Sequence, residues 1–127
     1  MRVVTKKALL ATVTAGFLMS GCSSQPKPLY NYGDYSESYY HAKKELTPES
    51  ALKLQKAIEY SIENAADSRS KRVAPGMHAN LGYIYLKAGK IDKAIENFNK
   101  EKEIYPESAH FMERMIKKIE AAEGKNR

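Results

Sequence analysis

Residues 75–108 read PGMHANLGYIYLKAGKIDKAIENFNKEKEIYPES, and this stretch decides the fold. Pro75 suits a first helical turn, where its fixed φ is already helical and its missing N–H is not needed. Met77, Leu81, Ile84, Tyr85 and Ala88 then recur at a spacing of three to four, which predicts a helix with one apolar face. Gly89 tolerates the left-handed conformation that ends a helix. Ile91, Ala94, Ile95 and Phe98 line one face of a following helix, and Pro106 limits it. Two helices joined by a tight glycine-containing turn make an antiparallel hairpin.

Outward from the hairpin, helical periodicity continues with almost no strand-like alternation. Asp34 to Lys44 is a candidate helix. Thr47-Pro48-Glu49 opens another, with Thr47 as N-cap, Pro48 at the first helical position and Glu49 at the positive end of the dipole. Ala51, Leu52, Leu54, Ala57, Ile58, Ile62 and Ala65 carry that helix to about Ala66, and Asp67 to Val73 is a polar connection. Ser108 is placed to cap a last helix over about 109–123, with Phe111, Met115, Ile116 and Ile119 inward and Gly124 just past its end. The expected fold is all-α, a short helical-hairpin array of about five helices.

The hairpin resembles the tetratricopeptide repeat. Numbered from Pro75, the large, small and aromatic positions of the first helix fall on Leu81, Gly82 and Tyr85, the turn on Gly89, the second helix on Ala94 and Phe98, and the terminal proline on Pro106. The small residues let the two backbones approach while Tyr85 and Phe98 fill the space around the contact. His78 departs from the pattern where an aromatic is favoured, and Glu101 where a small residue is favoured. Such hairpins stack on neighbours. Tyr35 to Ala66 looks like a degenerate earlier hairpin, with Tyr35 as its aromatic and Ala51 as its small residue, and the last helix looks like a cap. In peptide-binding members of that family, first helices line a groove. The resemblance therefore puts Asn80, His110 and Arg114 where a partner's carboxylate would be held, although the first reading of Asn80 is as a plain helix-surface residue.

The chain's single cysteine, Cys22, closes a segment with a basic start (Arg2, Lys6, Lys7) and an apolar stretch from Ala8 to Leu18. That order is a signal peptide, and the stretch is too short to span a bilayer, which takes roughly 20 apolar residues. Leu18-Met19-Ser20-Gly21-Cys22 resembles the lipobox of bacterial lipoproteins, with Met19 where leucine is commoner. The resemblance implies removal of residues 1–21, acylation of Cys22, and an outer-membrane anchor facing the periplasm, since Ser23 rather than aspartate follows the cysteine. Residues 22–29 would be the lipidated cysteine and a tether, in which Pro26 and Pro28 favour extended chain, and 30–127 the helical domain. The 106 residues left after cleavage suffice for one modest core, with no cysteine free for a disulfide.

Cleavage would lower the net charge from +6 to +3. The basic residues interleave with acids, as in Lys100-Glu101-Lys102-Glu103, which is the pattern of a solvated helix face rather than a phosphate-tracking stripe. Nucleic acid is not an expected partner. His41, His78 and His110 are dispersed, and no phosphate-cradling glycine loop or Gly-x-Ser-x-Gly occurs. The expectation is a protein with no catalysis, no metal, no small-molecule substrate and no cofactor beyond the covalent lipid on Cys22.

Five of the nine tyrosines fall within residues 30–40. Aromatic rings with polar tips suit a core edge or an interface. Tyr35 and Tyr39 sit one turn apart and can pack on the next helix, while Tyr30 and Tyr32 precede the first helix and are candidates for docking a partner. A tyrosine and glycine run before a short repeat region is also similar to a family of small proteobacterial lipoproteins encoded beside lipoproteins like the curli secretion channel. That likeness implies an adaptor or assembly factor for envelope proteins, a secretion-channel-like lipoprotein among the candidate partners. The alternative is a cell-wall-associated factor that binds peptidoglycan or regulates its enzymes.

Overall fold

A computed structural model describes residues 25–124, so the signal-like segment and Cys22 lie outside the described residues. Those residues form five α-helices and no strand: α1 (Tyr35–Glu45), α2 (Pro48–Glu63), α3 (Met77–Lys87), α4 (Ile91–Ile104) and α5 (Ala109–Gly124). Short 3₁₀ turns, Ala65–Asp67 and Pro106–Ser108, follow α2 and precede α5. Each helix packs on the next in the chain, so the molecule is an array of hairpins.

Local chemistry fixes the helix ends. At α2 the Thr47 hydroxyl accepts the Ser50 N–H at 3.1 Å while the Ser50 hydroxyl accepts the Thr47 N–H at 3.2 Å, a reciprocal cap with serine in the place usually taken by glutamate. At the end of α3, Lys90 N–H reaches the Tyr85 carbonyl at 2.9 Å and Gly89 N–H reaches Leu86 at 3.1 Å. With Gly89 at φ +70°, this pair of bonds is a Schellman motif. Helix α1 ends without glycine, its left-handed cap being Leu46 at φ 51°.

Two apolar clusters hold the array. Ile58, Ala74, Met77 and Leu81 join α2 to α3, with Tyr30 and Tyr35 packed against them. Ala94, Phe98, Met112 and Ile119 join α4 to α5, and Tyr85 touches both clusters. Gly82 is the closest approach: a Cβ there would stand 2.8 Å from the Phe98 ring and 3.1 Å from the Ala94 carbonyl.

Several expectations shift. Helix α3 starts at Met77 because Pro75-Gly76 forms a turn, Gly76 taking φ +84°. Ala51 is exposed, and Ser50 is the buried residue at that end of α2. Phe111 is 61% exposed and Met112 takes the inward place, on the same face as Met115, Ile116 and Ile119, which pack inward as expected. The Ser108 hydroxyl, in the 3₁₀ turn that runs into α5, bonds back to the Tyr105 carbonyl rather than capping α5, and Gly124 is the last residue of that helix rather than the one past it.

Candidate interaction surfaces

The two departures from the repeat pattern are structural. Glu101, 3% exposed on α4, accepts the Gly76 N–H at 2.7 Å and the Ala79 N–H at 3.1 Å. It thereby caps α3, whose own N-cap residue is a glycine with no side chain to do so. His78 meets Asn97 at 2.9 Å across the same hairpin, and Asn97 donates its amide to the Lys93 carbonyl.

The N-terminal segment is bound rather than free. The Pro28 and Leu29 carbonyls accept the Arg69 and Ser70 N–H groups, and Asn31 donates to the Asn64 carbonyl while its own carbonyl accepts the buried Ser61 hydroxyl. The segment read as tether is thus docked from Pro28 onward. Tyr30 is half-buried against the first cluster and beside Tyr105, whose hydroxyl donates to the Val73 carbonyl at 2.6 Å. Burial first, and the Tyr30 hydroxyl second, push the Tyr105 phenol up to about 12. Tyr30 is therefore a packing residue, whereas Tyr32 is 41% exposed.

From this segment an aromatic ladder climbs α1. Ring centroids are 6.2 Å apart between Tyr30 and Tyr32, 6.3 Å between Tyr32 and Tyr35, and 5.8 Å between Tyr35 and Tyr39. Burial, then the Tyr39 and Tyr32 phenols, raise the Tyr35 pKa. Asn80 on α3 donates its amide to the Tyr35 hydroxyl at 2.9 Å, so it is committed to the ladder. His110 and Arg114 stand exposed on α5, and among the described residues no hydrogen bond joins Asn80 to either. The three groove candidates therefore divide: Asn80 belongs to the α1–α3 face and the two basic residues to the far end of the array.

Sequence reasoning missed a motif on that first face. Tyr39 and Lys43, Tyr40 and Lys44, and Tyr83 and Lys87 are each four residues apart, with the ammonium 5.5, 5.9 and 5.8 Å from the ring centroid. The repeated Tyr-x-x-x-Lys spacing was the available signal.

Two of the clefts flank these helices. One, of about 300 Å³, lies between α2, α3 and α4, where Tyr85 donates to Glu59 at 3.0 Å and Glu96 pairs with Lys100 at 2.6 Å. Burial, then the bond to Glu59, raise the Tyr85 phenol; the Lys100 ammonium lowers the Glu96 carboxyl. The other, about 470 Å³, is lined by Leu86, Ile91, Met115 and Ile119 beside α5. Among the described residues no three His, Cys, Asp or Glu side chains are grouped to hold a metal, and no helix is long and apolar enough to cross a membrane.

The family described as Domain of unknown function (DUF4810) matches residues 29–115. The chain belongs to that family. The match begins at Leu29, so it takes in most of the docked segment and the aromatic ladder as well as four helices and part of α5. No curated protein and no solved structure matches the chain.

Proposed function

We propose that this DUF4810 protein is a non-catalytic lipoprotein, anchored through Cys22 at the periplasmic face of the outer membrane, that acts as an adaptor or assembly factor for an envelope complex. The observation that carries the reading is the α3–α4 hairpin. It crosses at Gly82 against Phe98 and Ala94, and it is stacked between an earlier hairpin and a closing helix. This supports a tetratricopeptide-type array, an architecture whose extended surfaces serve recognition.

The partner surface on this reading is the α5 end. There Phe111, His110 and Arg114 are exposed, and an apolar cleft lies along the same helix. An arginine beside exposed apolar surface suits a peptide segment carrying a carboxylate. Asn80 acts indirectly, by holding Tyr35.

The test is affinity capture of the intact lipoprotein from detergent-solubilised envelopes, with and without muramidase. Protein partners that survive digestion, and that are lost with His110→Ala and Arg114→Ala, support the adaptor. Partners released by digestion would place the protein on the cell wall instead. Partners unaffected by the α5 substitutions would move the surface to another face.

A further inference from the structure

The face shared by α1 and α3 has an unusual composition for a solvated surface. Tyr39, Tyr40 and Tyr83 are 41%, 62% and 50% exposed, each beneath a lysine ammonium. Among the described residues Lys43, Lys44 and Lys87 pair with no carboxylate. The nearby acids on α1, Glu37 and Glu45, both meet His41, at 3.8 and 3.3 Å. Helices α1 and α3 are each the neighbour of α2, and the Asn80–Tyr35 bond fixes them side by side. One turn beyond that bond on each helix comes an exposed tyrosine, and one turn further a lysine.

This face is continuous with the extended segment that leads from the anchor. The aromatic ladder starts at Tyr30 and Tyr32, and the chain is pinned at Pro28, six residues after Cys22. Six extended residues span at most about 20 Å. An acylated Cys22 therefore holds the body within about 20 Å of the lipid, with the ladder at the near end. Tyrosine favours the headgroup layer, where its ring meets acyl carbons and its hydroxyl meets water, and lysine ammonium groups are attracted to anionic phosphates.

We propose that the tyrosine–lysine face of α1 and α3 lies on the anionic headgroups of the membrane that carries the anchor, and so orients the array with α5 outward. The proposal rests on the lipid-anchor reading above. It gives the exposed rings and unpaired lysines one occupant, a phospholipid surface, and leaves the α5 end for a protein partner.

The chain contains no tryptophan, so a single introduced one is a clean reporter. Full-length lipidated protein carrying Tyr83→Trp, or Leu52→Trp on α2 as a control of similar exposure (51%), is reconstituted into phosphatidylethanolamine–phosphatidylglycerol vesicles with or without brominated chains. Brominated lipid is expected to quench Trp at position 83 at least twofold and to leave position 52 nearly unchanged. Adding Lys43→Glu and Lys87→Glu is expected to abolish the quenching while the protein still floats with the vesicles. Floating protein with position 83 unquenched overturns the docking and leaves the anchor standing. If the glutamate pair then blocks partner capture, the face belongs to an acidic protein instead. Protein that does not float, and whose mass shows no acyl chain, overturns the anchor and the docking together.

Discussion

Glu101 shows how a single side chain can join two helices. Its buried carboxylate accepts two N–H groups at the start of α3 although it belongs to α4, so it closes the hairpin at the end opposite Gly89. Hydrogen bonds to a charged group contribute about 1.5–3 kcal/mol, and here two partly buried donors depend on one acceptor. Glu101→Ala is expected to lower unfolding free energy by about 2–3 kcal/mol in urea titrations, and Glu101→Gln by less, since an amide oxygen still accepts. Loss below about 0.5 kcal/mol would mean that α3 is capped by something else. Leu46 offers the opposite experiment. It is 81% exposed and holds φ 51°, so Leu46→Gly removes backbone strain with little loss of packing. The variant is expected to gain about 0.5–1 kcal/mol, read as a rise of a few degrees in Tm. Neither role was legible beforehand. Glu101 reads in the sequence as one acid among lysines, and only the fold brings it to a glycine 25 residues away.

At the scale of elements, the hairpin contact sets the geometry of everything stacked on it. Any side chain at position 82 drives into Phe98, so Gly82→Leu is expected to cost at least about 1–3 kcal/mol and to loosen the α3–α4 crossing, seen as lower Tm and faster amide exchange in both helices. An unchanged Tm would mean that the helices cross elsewhere. This element was readable because its signals are local. Gly89 supplies a left-handed φ, Gly82 and Ala94 are small at helical spacing, and Pro106 stops α4. The α1–α2 hairpin was half legible for the converse reason. Its capping residues Thr47 and Ser50 are local, but its contact face depends on a register that Ala51 misstates, and its turn uses leucine where glycine is usual. The inward face of α5 was readable at Met115, Ile116 and Ile119 and misread only at its start, where Met112 rather than Phe111 packs inward just after the 3₁₀ turn Pro106–Ser108. The docked segment 28–31 was invisible to periodicity altogether, since backbone bonds to Arg69 and Ser70 hold it.

For the whole molecule, the tyrosines that tie distant segments together also fix its alkaline limit. Tyr105 is raised to about 12, and Tyr35 and Tyr85 are raised as well, so each is harder to ionise folded than unfolded. A folded pKa above the unfolded value gives stability that is complete below about pH 10 and is lost as pH climbs toward 12. Unfolding free energy is therefore expected to fall steeply between those values, with a shallower fall in Tyr105→Phe; a flat profile would mean that these phenols are not buried. The all-α class could be read from the sequence because apolar spacing of three to four runs through it. The α1–α3 face could not, because Tyr35 meets Asn80 across 45 residues. What remains is where the molecule resides, and that turns on one thiol. The most direct measurement is the intact mass and membrane fractionation of the wild type beside Cys22→Ser. The account predicts a wild-type chain beginning at Cys22, carrying acyl chains and partitioning with the outer membrane, and a Cys22→Ser chain with no acyl mass that is lost from that fraction. An unmodified Cys22, or a Cys22→Ser protein that stays in the outer membrane with residues 1–21 removed, would contradict it.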